Sequence, residues 1–236
     1  MRTKLFSFQA FFVVAGIHLA AILGGALFNS LVILTKPLLL LLLGILYYLQ
    51  SGKLNKAHRN FMLAALSFSW LGDVLLLFQQ NEAGFFLAGL ISFLAAHLCY
   101  ILAFGKTSVH HTQSVIRQQP WLVLLFAAYG LLFFFFISQG LGSLLIPVLV
   151  YMLVILLMGI AALNRFRRVE YHSFLLVFAG AMSFMLSDSL LAINKFATPF
   201  AMAGFLIMVT YIAAQYLIVK GSLKQMATEG MQAAIK

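Results

Sequence analysis

Two aspartates are the residues of this chain best suited to chemistry, because each interrupts a long apolar segment. The chain has five acidic residues, and Asp73 and Asp188 are the two that fall inside such segments. A carboxylate at the centre of a membrane helix costs about 2.5–3.5 kcal/mol, so it faces the bundle interior and marks a functional site. For a single aspartate the alternative is a structural hydrogen bond between helices, and a pair at matched depth favours function.

Lys36 also lies inside an apolar segment, where it could join the two aspartates. Two carboxyl groups and an ammonium in one chamber of low dielectric constant can hold one carboxyl group protonated and the other ionised. Catalysis by a general acid together with a general base requires that state.

Several further polar residues could line the same chamber. Ser69 precedes Asp73 by one helical turn and shares its face, and His97 with Tyr100 and Tyr211 with Gln215 form pairs on common helix faces. For any one Ser, Thr or Tyr, hydrogen bonding between helices is the commoner role. The expected supporting residues are Lys36, Ser69, His97, Tyr100, Tyr151, Ser187, Tyr211 and Gln215.

We expect neither a metal nor another cofactor at these residues. The sequence has no HExxH motif or comparable ligand spacing, and His97 is the one further candidate ligand near the aspartates. A Gly-rich phosphate loop and a GxSxG motif are also missing from the sequence. The single cysteine, Cys99, cannot form a disulfide within the chain.

The composition indicates that membrane helices position these residues. Of the 236 residues, 64% are hydrophobic and 8% charged, with a mean hydropathy of +1.05. A soluble domain needs a charged, solvated face. Because a spanning helix takes roughly 20 apolar residues, the length allows about eight spans with short connections. We therefore expect an all-α polytopic bundle that forms a single transmembrane domain over residues 1–236.

Eight apolar segments can be distinguished, separated by polar and turn residues. They lie at approximately 6–28, 31–50, 61–78, 84–104, 121–138, 143–163, 173–192 and 199–219. An even number of spans puts both termini on one side, and thirteen of the fifteen Lys and Arg residues fall on that side. Lys195 lies on the other. The positive-inside rule predicts that both termini are cytoplasmic, and it accounts for the net charge of +10 without a nucleic-acid partner.

This topology predicts that the two aspartates and Lys36 lie at one depth. Each aspartate is about five residues, or roughly 8 Å, from the outer end of its segment, and Lys36 is similarly placed in the second segment. In addition, Gly72-Asp73-Val74-Leu75-Leu76 resembles Ser187-Asp188-Ser189-Leu190-Leu191, which follows 115 residues later. This match is consistent with a duplication of four helices.

An ordered set of motifs runs from the second apolar segment to the eighth. It comprises Thr35-Lys36-Pro37, Ser69-Trp70-Leu71-Gly72-Asp73-Val74-Leu75-Leu76, Ala96-His97, Pro147 with Tyr151, Ser187-Asp188-Ser189-Leu190, and Tyr211 with Ala214-Gln215. Together these motifs resemble the YhhN-type lysoplasmalogenase family. The resemblance implies an eight-helix membrane enzyme, of the bacterial inner membrane, that hydrolyses the vinyl ether bond of lysoplasmalogens. The products would be a fatty aldehyde and a glycerophospho-base.

The resemblance also implies roles for individual residues. The two intramembrane aspartates of the family correspond to Asp73 and Asp188, its lysine to Lys36 and its histidine to His97. The expected substrate is a lysophospholipid within the membrane. Instead of pairing with the aspartates, Lys36 could bind the phosphate of this substrate. The residues alone leave a second interpretation open: a proton-coupled transporter or lipid-handling protein in which the aspartates form a proton relay.

Overall fold

The regular secondary structure of the described residues is entirely helical. The computed structural model describes residues 2–52, 54–79, 82–106 and 114–235. The helices are α1 (Arg2–Leu23), α2 (Asn29–Gln50), α3 (Lys56–Leu77), α4 (Ala83–Gly105), the short α5 (Val115–Gln118), α6 (Leu122–Ile137), α7 (Leu145–Leu163), α8 (Tyr171–Ala192) and α9 (Ala203–Ile235). Single helical turns at Gly25–Phe28, Ser138–Gly140, Gly142–Leu144 and Ile193–Ala197 lie between them. The predicted all-α fold is confirmed.

Seven stretches of the described residues are long and apolar enough to cross a bilayer. They are Gly25–Gln50, Lys56–Leu77, Gly84–Gly105, Leu122–Gly140, Gly142–Leu163, Tyr171–Ala197 and Ala203–Gln225. Helix α1 contributes a shorter apolar stretch, Phe8–Leu23. The multi-pass architecture therefore agrees with the sequence, whereas the count of eight crossings and the cytoplasmic termini stay predictions. The predicted orientation rests on the distribution of basic residues, and two of these, Lys53 and Lys236, lie outside the described residues.

The first and last helices differ from the predicted segments. Helix α1 ends at Leu23 rather than near residue 28, because Gly25 adopts a φ of +68° and a separate turn follows. Helix α9 begins four residues later than predicted, after Met202 at a φ of +61°, and it continues far beyond residue 219. Its polar residues Ser222 and Gln225 are buried, so this part of α9 packs against the bundle.

Two helix pairs, α3 with α4 and α8 with α9, form the most extensive contacts of the fold. Glycine permits the close approach of α8 and α9, because a Cβ atom at Gly180 would lie 2.9 Å from both the Ala214 carbonyl oxygen and the Ile218 amide nitrogen. Small residues at crossings allow membrane helices to pack backbone against backbone. Since α3 carries Asp73 and α8 carries Asp188, these two pairs hold the aspartates in place.

A buried polar network joins the ends of the helices at the predicted cytoplasmic side. His58 donates its Nδ1 proton to the Ala103 carbonyl oxygen at 2.9 Å, so its Nε2 accepts from the Ser222 hydroxyl at 2.6 Å. Nearby, Arg165 donates to Ser173 Oγ and to Gln225 Oε1, each at 3.1 Å. These bonds tie α3, α4 and α8 to the second half of α9.

Gly180→Ala tests the backbone contact between α8 and α9. The added methyl group would have to displace backbone atoms, and overpacking of this kind costs about 1–3 kcal/mol. Thermal unfolding of the purified protein in detergent should show a lower midpoint. The matched control is Gly44→Ala on α2, where a Cβ atom meets nothing within 4 Å. Equal midpoints for the two variants would contradict this account of the packing.

Candidate active site

A cavity of about 220 Å³ lies among α2, α3, α4, α7, α8 and α9. The cavity lies near the side of the bundle where the α3–α4 and α8–α9 connections are, since Gln79, Phe86 and Phe196 form part of its wall. The wall is largely apolar. Its polar side chains are Lys36, Asp73, Gln79, Tyr151, Ser187, Asp188 and Tyr211.

Asp73 has a partner on each carboxylate oxygen. The ammonium nitrogen of Lys36, on α2, lies 3.5 Å from Oδ1. The hydroxyl of Tyr211, on α9, donates to Oδ2 at 2.7 Å. The Asp73 side chain is only 3% exposed. A carboxylate this deeply buried needs charge compensation, and the lysine supplies it, which favours the ionised form of Asp73.

Asp188 has different surroundings. The hydroxyl of Tyr151, on α7, donates a short hydrogen bond to Oδ2. His97 Nε2, on α4, is 4.0 Å from the same oxygen, which is beyond hydrogen-bond distance. The Asp188 side chain is 17% exposed, several times more than that of Asp73. Of the two carboxyl groups, Asp188 is therefore the more accessible to a molecule in the cavity.

A deeper layer of polar residues supports the cavity wall. Tyr100 donates to Gln215 Oε1 at 2.6 Å, and the Gln215 amide donates to the Tyr211 hydroxyl at 3.4 Å. This chain of bonds leaves the Tyr211 hydroxyl proton free to point at Asp73. The His97 ring packs edge-on against Tyr151, with their centroids 5.3 Å apart. Tyr100, Gln215 and His97 thus orient the residues of the wall rather than form it.

The remaining expected residues take structural positions. Ser187 lines the cavity, but its hydroxyl donates to the Ile207 carbonyl oxygen at 3.0 Å and so links α8 to α9. Ser69 is fully buried one turn from Asp73 and lies outside the cavity wall. The described part of the chain contains no group of three His, Cys, Asp or Glu side chains arranged to hold a metal ion.

The expected site residues do not include the polar wall residue Gln79 or the apolar residues of the wall, among them Phe86 and Phe196. Gln79 follows the third predicted segment, where polar residues indicate a loop, so its position in the sequence does not point to a cavity between helices. The two phenylalanines carry no signal that separates them from the other 22 in the chain. Phe86, near the start of α4, packs edge-on against Phe196, and this contact places both rings at the cavity wall.

Several residues of the site are related by one constant offset along the chain. An offset of 115 residues relates Asp73 to Asp188, and it also relates Lys36 to Tyr151. Lys36 and Tyr151 each contact the aspartate of their own half. The same offset relates Tyr100 to Gln215, which bond to each other. Each aspartate also faces a residue of the opposite half, Tyr211 or His97.

The YhhN family model matches residues 31–222 of this chain. The lysoplasmalogenase TMEM86A of Bos taurus is 33% identical over 156 residues, which are 65% of this chain and 61% of that protein. TMEM86B of Sus scrofa, also named lysoplasmalogenase, is 31% identical over 75% of this chain and 69% of its own length. The lysoplasmalogenase of Mycobacterium bovis is 31% identical over 70% of this chain and 60% of its length. The match thus spans about three fifths of the cattle and mycobacterial proteins. No solved structure matches the chain.

A double-mutant cycle tests the buried ion pair. Lys36→Met leaves the Asp73 carboxylate without its cation, and Asp73→Asn leaves the ammonium without its anion, so each variant should unfold at a lower temperature. The double variant should lose less stability than the sum of the two, with a coupling of about 0.5–3 kcal/mol. The control cycle pairs Asp73→Asn with Lys195→Met and should be additive. Additivity in both cycles would contradict the ion pair.

Proposed function

The chain belongs to the YhhN family, and from that premise we propose that it hydrolyses the vinyl ether bond of lysoplasmalogens in the membrane. The products are a fatty aldehyde and a glycerophospho-base. The observation that carries the proposal is a single intramembrane cavity lined by two carboxyl groups in unlike surroundings. The printed names of the mammalian and mycobacterial relatives support the class of substrate.

The chemistry of a vinyl ether needs an acid before it needs a nucleophile. The slow step is transfer of a proton to the alkene carbon that does not bear oxygen, which leaves an oxocarbenium ion. Water then adds to the carbon that bears oxygen, and the hemiacetal breaks down to the aldehyde and the glycerol hydroxyl. A catalyst must therefore supply a positioned acid, a negative charge near the cation and a base for the water.

The two aspartates divide these tasks according to their partners. Asp188, which is more exposed and forms no ion pair with a lysine of the described residues, donates the proton to carbon and then takes a proton from the attacking water. This returns Asp188 to its protonated form. Asp73, held ionised by Lys36, stabilises the oxocarbenium ion. When the hemiacetal breaks down, its hydroxyl proton ends on the leaving glycerol oxygen, so the cycle consumes one water and no net proton.

Asp73→Asn and Asp188→Asn test this division. Each should lower the turnover of lysoplasmalogen by at least about a hundredfold, the usual contribution of a general acid or base, while the protein still inserts into the membrane. The measurement is mass spectrometry of the aldehyde released by purified protein. The matched control is Glu82→Gln, an acid-to-amide change outside the cavity wall, which should retain activity. Near-normal turnover in either aspartate variant would refute the paired-carboxylate mechanism.

The same assay in D₂O examines the proton transfer itself. The rate should show a normal solvent isotope effect, and the aldehyde should carry one deuterium at its α-carbon. Turnover should also fall at alkaline pH, because a general acid works only while it is protonated. An unlabelled aldehyde would rule out protonation at carbon. If the wild-type protein releases no aldehyde at all, the proposed function fails.

A further inference from the structure

The cavity that holds the aspartates is the first of three neighbouring cavities that share wall residues; the second lies between α6, α7 and α8, and the third between α6 and α8. The second shares Tyr151 and Asp188 with the first. The third shares Tyr129 and Met185 with the second and reaches Met182. The third cavity has a volume of about 300 Å³ and is lined almost entirely by apolar side chains.

Helix α6 leaves this space open because it packs loosely on its neighbours. Gly130 and Ile137 are its buried residues. Along α8, the distance from Asp188 to Met182 is six residues, or about 9 Å. Helix α8 ends at Ala192, next to the α8–α9 connection, and Met182 lies on the other side of Asp188 along this helix. The row of cavities therefore runs from Asp188 along α8 and away from the α8–α9 connection.

We infer that this row of cavities, the α6–α8 groove, binds the alkenyl chain of the substrate. The inference rests on the proposed function: the carbon that Asp188 protonates is the second carbon of that chain, so the rest of the chain must continue from a point beside Asp188. The groove begins at that residue and is apolar. Met182 and Met185 line it, and methionine adapts to flexible apolar ligands.

Met182→Trp tests the groove by filling its far end. The ratio of kcat/KM for a long alkenyl chain to that for a short one should fall, by about fourfold for each methylene excluded. Leu125→Trp, on the exposed side of the same cavity, provides a second variant if the first folds poorly. The matched control is Gly44→Leu, which fills a separate apolar groove between α2 and α3.

The possible outcomes distinguish failure of the groove proposal from failure of the proposed function. A reduced ratio in both tryptophan variants, with the control unchanged, supports the inference. An unchanged ratio in the tryptophan variants overturns it, as does an equal reduction in Gly44→Leu. Absence of aldehyde from the wild-type protein with either chain length would instead overturn the proposed function.

A separate observation concerns the phosphate end of the substrate. Lys36 is already engaged, because its ammonium lies 3.5 Å from the Asp73 carboxylate. Lys195 is a second lysine beside the cavity. Its Nζ lies 4.0 Å from the centroid of the Phe86 ring, and Phe86 forms part of the cavity wall. The Lys195 side chain is itself exposed, so the ammonium remains available to an anion.

The turn that carries Lys195 is held in a defined position. Lys195 lies in the π-helical turn Ile193–Ala197, a type of turn that occurs frequently at functional sites. Phe196, in the same turn, lines the cavity and packs edge-on against Phe86 at 5.9 Å. The α6–α7 connection braces the turn, because a Cβ atom at Gly140 would lie only 1.7 Å from the Phe196 carbonyl oxygen.

We propose that Lys195 binds the phosphate of the lysophospholipid, and this too rests on the proposed function. With the alkenyl chain in the α6–α8 groove, the glycerophosphate points toward the α3–α4 and α8–α9 connections, where Lys195 lies. An ammonium group is a compact point charge that suits a phosphate. Lys195 contributes to binding and takes no part in the proton transfers.

Lys195→Met should raise KM for lysoplasmalogen severalfold and leave kcat unchanged, and Lys195→Arg should restore KM. With a 1-alkenylglycerol, which lacks the phosphate, Lys195→Met should match the wild type. The control is Lys220→Met, which should leave KM unchanged. Lys220 is another exposed lysine over an aromatic ring, with its Nζ 5.1 Å from the Tyr216 ring centroid.

Three results would decide against Lys195. They are an unchanged KM in Lys195→Met, an equal rise in KM with the phosphate-free substrate, and an equal rise in Lys220→Met. Failure of the wild-type protein to hydrolyse either substrate would contradict the proposed function itself.

Discussion

The need to compensate a buried carboxylate organises the interior of this protein. An ionised Asp73 without a partner would cost several kcal/mol in a medium of low dielectric constant, so α2 must present Lys36 and α9 must present Tyr211 to α3. The polar layer behind Tyr211 follows from the same need, because a phenol that donates to Asp73 must have its oxygen satisfied from another side. Among the described residues no lysine or arginine forms an ion pair with Asp188, so two chemically identical groups have different electrostatic surroundings.

Features that depend on hydropathy and isolated charge could be predicted from the sequence. Most apolar helices could be predicted because a long apolar segment has few alternatives to a membrane helix. Lys36, Asp73 and Asp188 could be identified because charged residues inside such segments are rare. The extension of α9 could not be predicted in this way. Ser222 and Gln225 lie beyond the last predicted segment, which ends near residue 219, yet they are buried and form hydrogen bonds with His58 and Arg165 from distant parts of the chain.

Side-chain direction was harder to predict than helix position. Ser69 shares a face with Asp73, as expected, but one turn along the helix is enough to place it beyond the cavity wall. Ser187 lies next to Asp188 and lines the cavity, yet its hydroxyl bonds to the backbone of α9. Helical spacing identifies neighbours on one helix, whereas the extent of a cavity depends on the crossings of several helices.

The offset of 115 residues between the two aspartates has a consequence for the symmetry of the site. If two identical four-helix chains associated about a two-fold axis, their aspartates would have identical surroundings, and neither would be favoured as the proton donor. Within a single chain that restriction is absent, since each position can change independently. Lysine at position 36 and tyrosine at position 151 are such a difference. A single chain can therefore give its two carboxyl groups unlike surroundings, which a symmetric pair of chains cannot do.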